Sequence, residues 1–541
     1  MGLITLTTND YPVTMLNMKE VDAQNYVKLD ILGLDNVRLI NETCKLANID
    51  ILTPDNIDDN DEKVWMSIRD YTLGIFQWES EHASSYLKEL FSDATLRKIK
   101  MNNKNFKYID LFSVGNGAIR PAGASYREEL SAGIFRDNGH EALNELLSST
   151  QGFLVYQEHI LDFLHLFCGY TMGQADMVRR GFAKKTGTDE HIPRIKSGFI
   201  KTMKEKYSMC EVESEKLVES FIQVIEDASD YLFSLNHSQA YSYIGYVCGY
   251  LRYYYPLEFL SVMLNINDGN IEKTTNILEY MKQHNIKLNN PKFRYSRGEY
   301  FMDKETNSIF KGIGAIKYLN KEVGELLYSL RYKKYASFIE LLDDIKGVVN
   351  SRQLDILIEL DYFSEFGKSQ KLMDIVELYN TIYTKKQFKI DSLPCDIEIM
   401  RKYAATETDK MFKDIDKQGI CKYIESIIED VDLPIQQRIK SWIENTGSCN
   451  LIDETQPRKN AIVIDINTKY KTPKIKLYNL YSGKTAEVKI GARLWREYKL
   501  ELFDMITIVR TNSKFKKKKI ADKGIETDEK EYWLEDYIIC K

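Results

Sequence analysis

The sequence is poor in proline (10 of 541 residues) and histidine (7), and its eight cysteines are isolated, with no CxxC pair among them. Isolated thiols give no indication of a disulfide framework or a structural zinc site, and point to buried free thiols in a reducing compartment. No apolar run approaches the roughly 18 residues that a membrane span needs, so no membrane partner is expected. The start, Met1-Gly-Leu-Ile-Thr-Leu-Thr-Thr-Asn-Asp10, has neither the basic region nor the apolar core of a signal peptide. Positive charge is not in excess either: 74 Lys and Arg against 80 Asp and Glu give a net charge of −6. That excludes a globally basic nucleic-acid coat and confines any nucleic-acid contact to local patches. The expectation is a soluble, cytoplasmic protein. A hydrophobic content of 43% is enough for real cores, and the length predicts roughly three or four domains.

What is present is concentrated in one stretch, Gln174-Ala-Asp-Met-Val-Arg-Arg-Gly-Phe-Ala-Lys-Lys185. Its composition favours helix, with one glycine tolerated at about 1 kcal/mol. Arg180 and Lys184 then share a face, with Arg179 beside them. Like charges crowded in this way repel, and a polyanionic ligand reverses the sign. Arginine forks suit phosphate oxygens in particular. Taken alone, the segment also fits a solvated basic helix face.

Near the start, Tyr26-Val-Lys-Leu-Asp-Ile-Leu-Gly-Leu34 alternates as a strand, with Val27, Leu29 and Ile31 on one side and Lys28, Asp30 and Leu32 on the other. Gly33 ends it, and Asp35 is placed to cap a helix from Asn36. Lys28 and Asp30 project from one face, either as a surface pair or as a phosphate-facing cation beside a metal-binding carboxylate. Residues 61 to about 265 read mainly as helices. His237 lies among aromatics, flanked by Asn236 and Ser238 and near Tyr241; a core or surface histidine and a polar cluster both fit. Phe310-Lys-Gly-Ile-Gly-Ala-Ile316 predicts a tight hairpin at Gly312 and Gly314 whose backbone N–H groups could hold a phosphate. With the helical unit from Ser337 to Phe366 it suggests paired helix-hairpin-helix elements, which grip DNA backbone without reading sequence. Residues 371 to about 455 read as helical and charge-mixed. Beyond them come short alternating runs, 461–466, 474–478, 486–490 and 505–509, that predict a small barrel. Phe515 with Lys516 and Lys517, and Tyr532 and Trp533 downstream, mixes charge with aromatics as single-stranded nucleic acid would require; a basic loop with no partner fits as well.

Several of these phrases, in this order, resemble one family. Val27 to Leu34 is similar to VKFDFLGL, and Gly74-Ile-Phe-Gln-Trp-Glu-Ser80 to GVFQLES. Val155-Tyr-Gln-Glu158 and Gly169 to Arg180 resemble VYQEQ and GYTLGGADMLRRAMGKK. Phe233 to Tyr241 with Tyr255-Pro-Leu-Glu-Phe259 resembles FNKSHAAAY and HYPAEF, and Gly312 to Ile316 resembles GIGAIKG. The family is the bacterial replicative DNA polymerase III α subunit, the C-family polymerases, and the resemblance runs from residue 26 to about 367. It implies a multidomain, mainly α fold (polymerase fingers plus tandem helix-hairpin-helix) with a short α/β palm remnant at the N-terminus and a small C-terminal OB-like β-barrel. Residues 1–60 would be the end of a palm domain, 61–265 fingers, 266–370 a helix-hairpin-helix DNA-binding region, 371–455 a helical linker and 456–541 the barrel.

The resemblance also implies roles. Asp30 corresponds to one of three palm carboxylates that hold two Mg2+ ions, and Lys28 to a phosphate-facing neighbour. Arg179 and Arg180 correspond to the pair that clamps the incoming dNTP, with Lys184 in the basic tail after them. His237, Ser238 and Tyr241 would line the nucleotide side. Gly312, Gly314, Phe515, Lys516 and Lys517 would meet primer-template DNA. The sequence departs from the family in lacking the PDxDxD-type phrase that carries the other two carboxylates, and the metal-binding PHP domain. Asp58-Asp-Asn-Asp61 is a poor substitute, expected as a solvated turn. Ser234 and Leu235 replace the usual Asn and cation, and Arg120-Pro-Ala-Gly replaces Arg-Pro-Gly-Pro. The expectation is therefore a polymerase subunit that needs an N-terminal polymerase half on a separate chain. The alternative is a non-catalytic primer-template DNA-binding fragment. A sliding clamp is a further partner of the family, but Gln370-Lys-Leu-Met373, the phrase of suitable composition, lies early and on a helical stretch, so clamp attachment stays open.

Overall fold

The computed structural model describes residues 3–4, 12–24, 33–120, 123, 125–184, 188–228, 232–383, 385–469, 472–520 and 523–540. The chain forms two compact units, Met1–Ile266 and Asn267–Lys541. The strand expected over residues 26–32, with Lys28 and Asp30, lies outside the described residues. Asp35 is the first residue of its helix rather than the cap: Leu34 holds the N-cap position, and Asp35 places its charge in the first turn, where it complements the helix dipole.

The first unit is helical and organised around α1 (Tyr108–Ala118), whose residues are all buried except Asp110, which is partly exposed. A helix buried on nearly every side must meet its neighbours closely, and glycines allow this. A Cβ on Gly115 would lie 2.8 Å from Leu90 and 2.9 Å from Trp78. Trp65 packs here with Phe91, Tyr108, Phe112 and Tyr246 at centroid separations of 4.5–5.8 Å. The acidic turn at residues 58–61 is anchored to the same core: Tyr246 donates to the Asp58 carbonyl, Tyr243 to the Asp59 carboxylate and Tyr254 to the Asp61 carboxylate, at 2.6–2.9 Å. It is thus a tethered element of the fold, more than a solvated turn.

Four further helices form a second core in this unit: α2 (Gln157–Cys168), α3 (Met172–Lys184), α4 (Thr188–Tyr207) and Glu211–Ala228. In α2 the buried residues are His159, Ile160, Phe163, Leu164, Phe167 and Cys168, one stripe at helical period. It meets Ala175, Val178, Phe199 and Phe221. Gly169, at φ +73°, ends α2 in the left-handed conformation and turns the chain into α3. α5 (Leu235–Tyr254) returns to pack on α1.

The second unit begins with a helix, Ile271–Gln283, followed by a three-stranded sheet in which Ser308–Phe310 lies between Lys287–Asn289, parallel, and Phe301–Asp303, antiparallel. Helices α6 (Lys321–Ser329), α7 (Phe338–Ile345) and α8 (Ser351–Glu359) follow, each opened by an Asn or Ser cap. Residues 371–455 are not purely helical. A second small sheet, Gln387–Lys389, Ala404–Glu407 and Met411–Ile415, interrupts them. Its strands are too short to show a period of two, and Phe388 and Phe412 are its only fully buried anchors among the described residues. The expected barrel is present: Asn460–Asn467, Lys474–Asn479, Thr485–Ile490, Met505–Ile520 and Lys523–Ile539 close into five strands. All neighbours are antiparallel except 485–490 with 523–539. The last two strands run on beyond the barrel as a two-stranded ribbon, paired as far as Ile520 with Lys523. The Lys516–Lys519 run is therefore strand, not loop. Among the described residues no helix is long and apolar enough to cross a membrane.

Candidate nucleotide and nucleic-acid site

The basic segment forms α3 as its composition dictates. One carboxylate organises its two arginines. Asp176 Oδ1 accepts from Arg179 Nε at 3.0 Å and Nη2 at 2.8 Å, while Oδ2 faces Arg180 Nη2 at 2.8 Å. The spacing is i,i+3 and i,i+4, which puts all three side chains on one helix face. These bonds, Arg179's first, hold the Asp176 carboxyl below the usual carboxylate range. The two arginines differ in freedom: the Arg179 side chain is 17% exposed, that of Arg180 66%. Arg179 is also fixed from α2, donating Nη1 to Gln157 Oε1 at 2.8 Å. The Lys184 side chain, and Lys185 entirely, lie outside the described residues.

Gln157 joins this helix to the His237 segment. Its backbone N–H donates to the Phe233 carbonyl at 2.9 Å and its amide to the Leu232 carbonyl at 3.3 Å. Glu158 next to it accepts from Leu235 N at 2.9 Å and Ser234 Oγ at 3.2 Å. From there a strip of rings runs along the start of α5. Arg120 lies 4.0 Å over Phe233, Phe233 meets the edge of His237 at 5.4 Å, His237 meets Tyr241 at 4.1 Å, and Tyr241 meets Phe76 at 4.9 Å. Desolvation, and then the Arg120 charge, lower the His237 pKa. Its imidazole is therefore neutral near pH 7 and can donate from one ring nitrogen and accept at the other. His237 and Tyr241 thus share one strip, tied to Arg179 through Gln157.

Ser238 does not share it. It is fully buried, donating to the Ser113 carbonyl at 2.7 Å, with the Ser113 hydroxyl 3.0 Å away. With Asn116 donating to Ser242 at 2.8 Å and Tyr156 to Ser113 at 3.2 Å, it forms a polar seam between α1 and α5. One position along a helix is a rotation of about 100°, which is why His237 faces out and Ser238 in. Gln157, Asp176, Arg120 and Phe76 are the residues that sequence reasoning missed as members of the site; each stands inside a phrase that was noticed.

In the second unit the N–H groups of Ile313 and Gly314 are already engaged and do not face a phosphate. Ile313 N–H donates to the Arg297 carbonyl and Gly314 N–H to the Gly298 carbonyl, both at 2.9 Å. The role of Gly312 and Gly314 is close packing: a Cβ on Gly312 would lie 2.5 Å from the Glu299 backbone. They also follow a strand rather than a helix. What this turn presents is Lys317 and Tyr318, with the Arg352 guanidinium 3.4 Å over the Tyr318 ring and Lys317 Nζ at 5.1 Å. Lys317, by hydrogen bond and charge, and then Arg352, lower the Tyr318 pKa. A second cation–aromatic feature alternates Phe301, Arg297, Tyr328, Arg331 and Tyr332 at guanidinium-to-ring distances of 3.5–4.7 Å. It ends in Tyr332, 81% exposed. The Nε atoms of Arg297 and Arg331 are buried and have no hydrogen-bond partner among the described residues, so ring faces stand in for acceptors along the ladder.

On the barrel, Phe515 is exposed with Lys530 Nζ 5.6 Å from its ring, and Trp533 is bracketed by Lys514 at 4.7 Å and Lys489 at 5.7 Å. The side chains of Lys516 and Lys517 lie outside the described residues; the strand register sets Lys517 opposite Glu526. Gln370 and Met373 stand on a helix, Ser369–Tyr383, whose Leu372 is in the core. Among the described residues no group of three or more His, Cys, Asp or Glu side chains is gathered to hold a metal ion.

A helical unit with paired arginines, helix-hairpin-helix elements and a small closed barrel define a multidomain chain built from distinct modules. A model of the bacterial DNA polymerase III alpha subunit finger domain matches residues 133–207, and one of the helix-hairpin-helix motif matches residues 285–373. The DNA polymerase III subunit alpha of Ureaplasma parvum serovar 3 is 29% identical over 381 residues, covering 67% of this chain and 36% of that protein. That of Campylobacter jejuni subsp. jejuni is 29% identical over 379 residues, covering 67% and 30%. That of Borreliella burgdorferi is 25% identical over 469 residues, covering 83% and 39%. The chain is related to the bacterial DNA polymerase III α subunits and carries their finger domain and helix-hairpin-helix motif. It spans about a third of the length of these curated relatives.

Proposed function

We propose that this chain forms the nucleotide-clamping and DNA-holding part of a DNA-directed DNA polymerase that transfers dNMP to a primer 3′-OH. One observation carries the reading: Arg179 and Arg180 close on a single anion, and Arg179 is braced by Gln157 to the segment that presents His237 and Tyr241. Nucleotidyl transfer asks a protein for positioning and for neutralisation of charge on the triphosphate. Two guanidiniums on one seat supply the second, and the Gln157 brace supplies the first. His237 offers a neutral hydrogen-bond donor, and Tyr241 a ring edge, along the same strip. Losing one such preorganised contact costs on the order of 3 kcal/mol in the barrier.

Mg2+, as in the family reaction, would polarise the triphosphate and activate the primer hydroxyl. Asp30 is the ligand this sequence offers, with Lys28 beside it facing phosphate. The remaining carboxylates come from a partner polypeptide or a covalently joined segment. Primer-template DNA is held by the helix-hairpin-helix elements, at Lys317, Tyr318 and Arg352 and at the Arg–aromatic ladder, and by the barrel around Phe515 and Trp533. The test is primer extension by the full chain mixed with a polymerase portion that carries the other palm carboxylates. Extension is expected from the mixture and not from the chain with Asp30→Ala or Arg179→Ala; activity that survives both substitutions overturns the reading.

A second reading is favoured by the cation–aromatic features at Tyr318 and along the ladder from Phe301 to Tyr332: a non-catalytic protein that holds primer-template DNA. It predicts salt-sensitive DNA binding, no extension with any partner, and indifference to Arg179→Ala.

A further inference from the structure

We propose that Asp176 is a resident anion that occupies the arginine clamp when nucleotide is absent and is exchanged for the triphosphate when nucleotide enters. The inference rests on the assignment of Arg179 and Arg180 as a triphosphate clamp. The carboxylate is engaged by both oxygens: Oδ1 by two nitrogens of Arg179, Oδ2 by Arg180. No additional basic group is needed to explain its ionisation, since these two guanidiniums already hold the carboxyl in its charged form. A polyphosphate drawn to the same two forks brings several negative charges within a few ångströms of Asp176. Like charges at that range repel strongly at the low effective dielectric of a partly covered site, so carboxylate and phosphate compete for the forks.

The two arginines respond differently. Arg180 has Asp176 as its ion-pair partner and two-thirds of its side chain in solvent, so it can turn from carboxylate to phosphate. Arg179 is half-buried and keeps its bond to Gln157 when the carboxylate lets go. Gln157 is thus a positioning residue and Asp176 a latch. The two should act on the same ligand with opposite sign. A mere helix-surface ion pair, by contrast, contributes little and touches only helix stability.

The experiment is calorimetric titration of the full-length chain with inorganic tripolyphosphate and with dATP plus Mg2+, with deoxyadenosine as the phosphate-free control. Asp176→Asn, and Asp176→Ala, which removes the acceptor altogether, are expected to tighten tripolyphosphate and dATP binding by about 3- to 10-fold, the size of one or two exposed ion pairs. Deoxyadenosine binding should not change. Gln157→Ala is expected to weaken the phosphate ligands several-fold, and Arg180→Ala by about 10-fold or more. If both Asp176 variants leave affinity unchanged or weaken it while Arg180→Ala still weakens it, the latch is overturned and the clamp stands. A lowered melting temperature without tightening likewise assigns Asp176 to helix stability alone. If Arg179→Ala and Arg180→Ala both leave tripolyphosphate binding intact, the clamp itself fails and the latch fails with it.

Discussion

Arg179 and Gln157, on two successive helices, are joined by a hydrogen bond of 2.8 Å between Nη1 and Oε1. The bond converts a flexible side chain into a fixed fork, with the Gln157 backbone bonded in turn to Phe233. Arg179→Lys should therefore be far from conservative. A lysine keeps the charge but concentrates its donors on one nitrogen, and so cannot reproduce the separate Nη1 bond to Gln157 and the Nε–Nη2 fork on an anion. Triphosphate affinity of the full chain is expected to fall by about 10- to 100-fold, and calorimetry with dATP and Mg2+ checks it. Retention of wild-type affinity would show that charge alone suffices.

Ser238→Ala separates core from site. The substitution removes a buried donor to the Ser113 carbonyl and should destabilise the first unit by about 1–2 kcal/mol. Nucleotide affinity should be unchanged. Urea unfolding and titration of the same sample give both numbers; a large loss of affinity with full stability would return Ser238 to the nucleotide face.

His159 makes stability pH-dependent. Burial lowers its pKa to about 4, and its Nδ1 accepts from Tyr156 N–H at 3.4 Å, which requires the unprotonated atom. Between roughly pH 6.5 and 4 the unfolded chain binds a proton that the folded chain refuses, so stability rises with pH across that window and falls on acidification. The full span is worth up to about 3 kcal/mol. Denaturation midpoints at pH 4.5 and 7 should differ more for the natural chain than for His159→Gln.

Tyr332 is the exposed end of the Arg–aromatic ladder. A base stacked on such a ring contributes about 1–3 kcal/mol, without sequence preference. Tyr332→Ala is expected to weaken single-stranded DNA binding by about 10-fold for any sequence and to leave the melting temperature unchanged. Anisotropy titrations with oligonucleotides of two compositions test both points, and an unaltered affinity removes the ladder from the DNA path.

The parts legible in the sequence were those written locally. Strand alternation at 461–466, 474–478, 486–490 and 505–509 announced the barrel, and the contiguous phrases around Arg179 and Phe233 announced the fingers. What escaped depends on three-dimensional neighbours. Gln157 sits 22 positions before the arginine it braces. The ladder is scattered from Arg297 to Tyr332. Ser238 belongs to a helix in which tyrosines recur on several faces, so no apolar stripe marks its inner side. The glycines at 312 and 314 were visible, but whether the N–H groups of Ile313 and Gly314 were free depended on the carbonyls of Arg297 and Gly298, which periodicity does not reveal. The ribbon beyond the barrel was hidden because a run of lysines carries no hydrophobic alternation.

That ribbon has a consequence for how the protein behaves at high concentration. A closed barrel has no open edge, but past Ser513 the two strands pair only with each other among the described residues, leaving two lines of backbone donors and acceptors able to recruit a further strand. In sequence, Lys516 to Lys519 in one strand and Glu526, Asp528 and Glu529 in the other make this stretch rich in charged residues. They make edge-to-edge joining of two molecules unfavourable. Replacing the lysines with threonine or valine would lower the cationic count and also create an aggregation-prone edge.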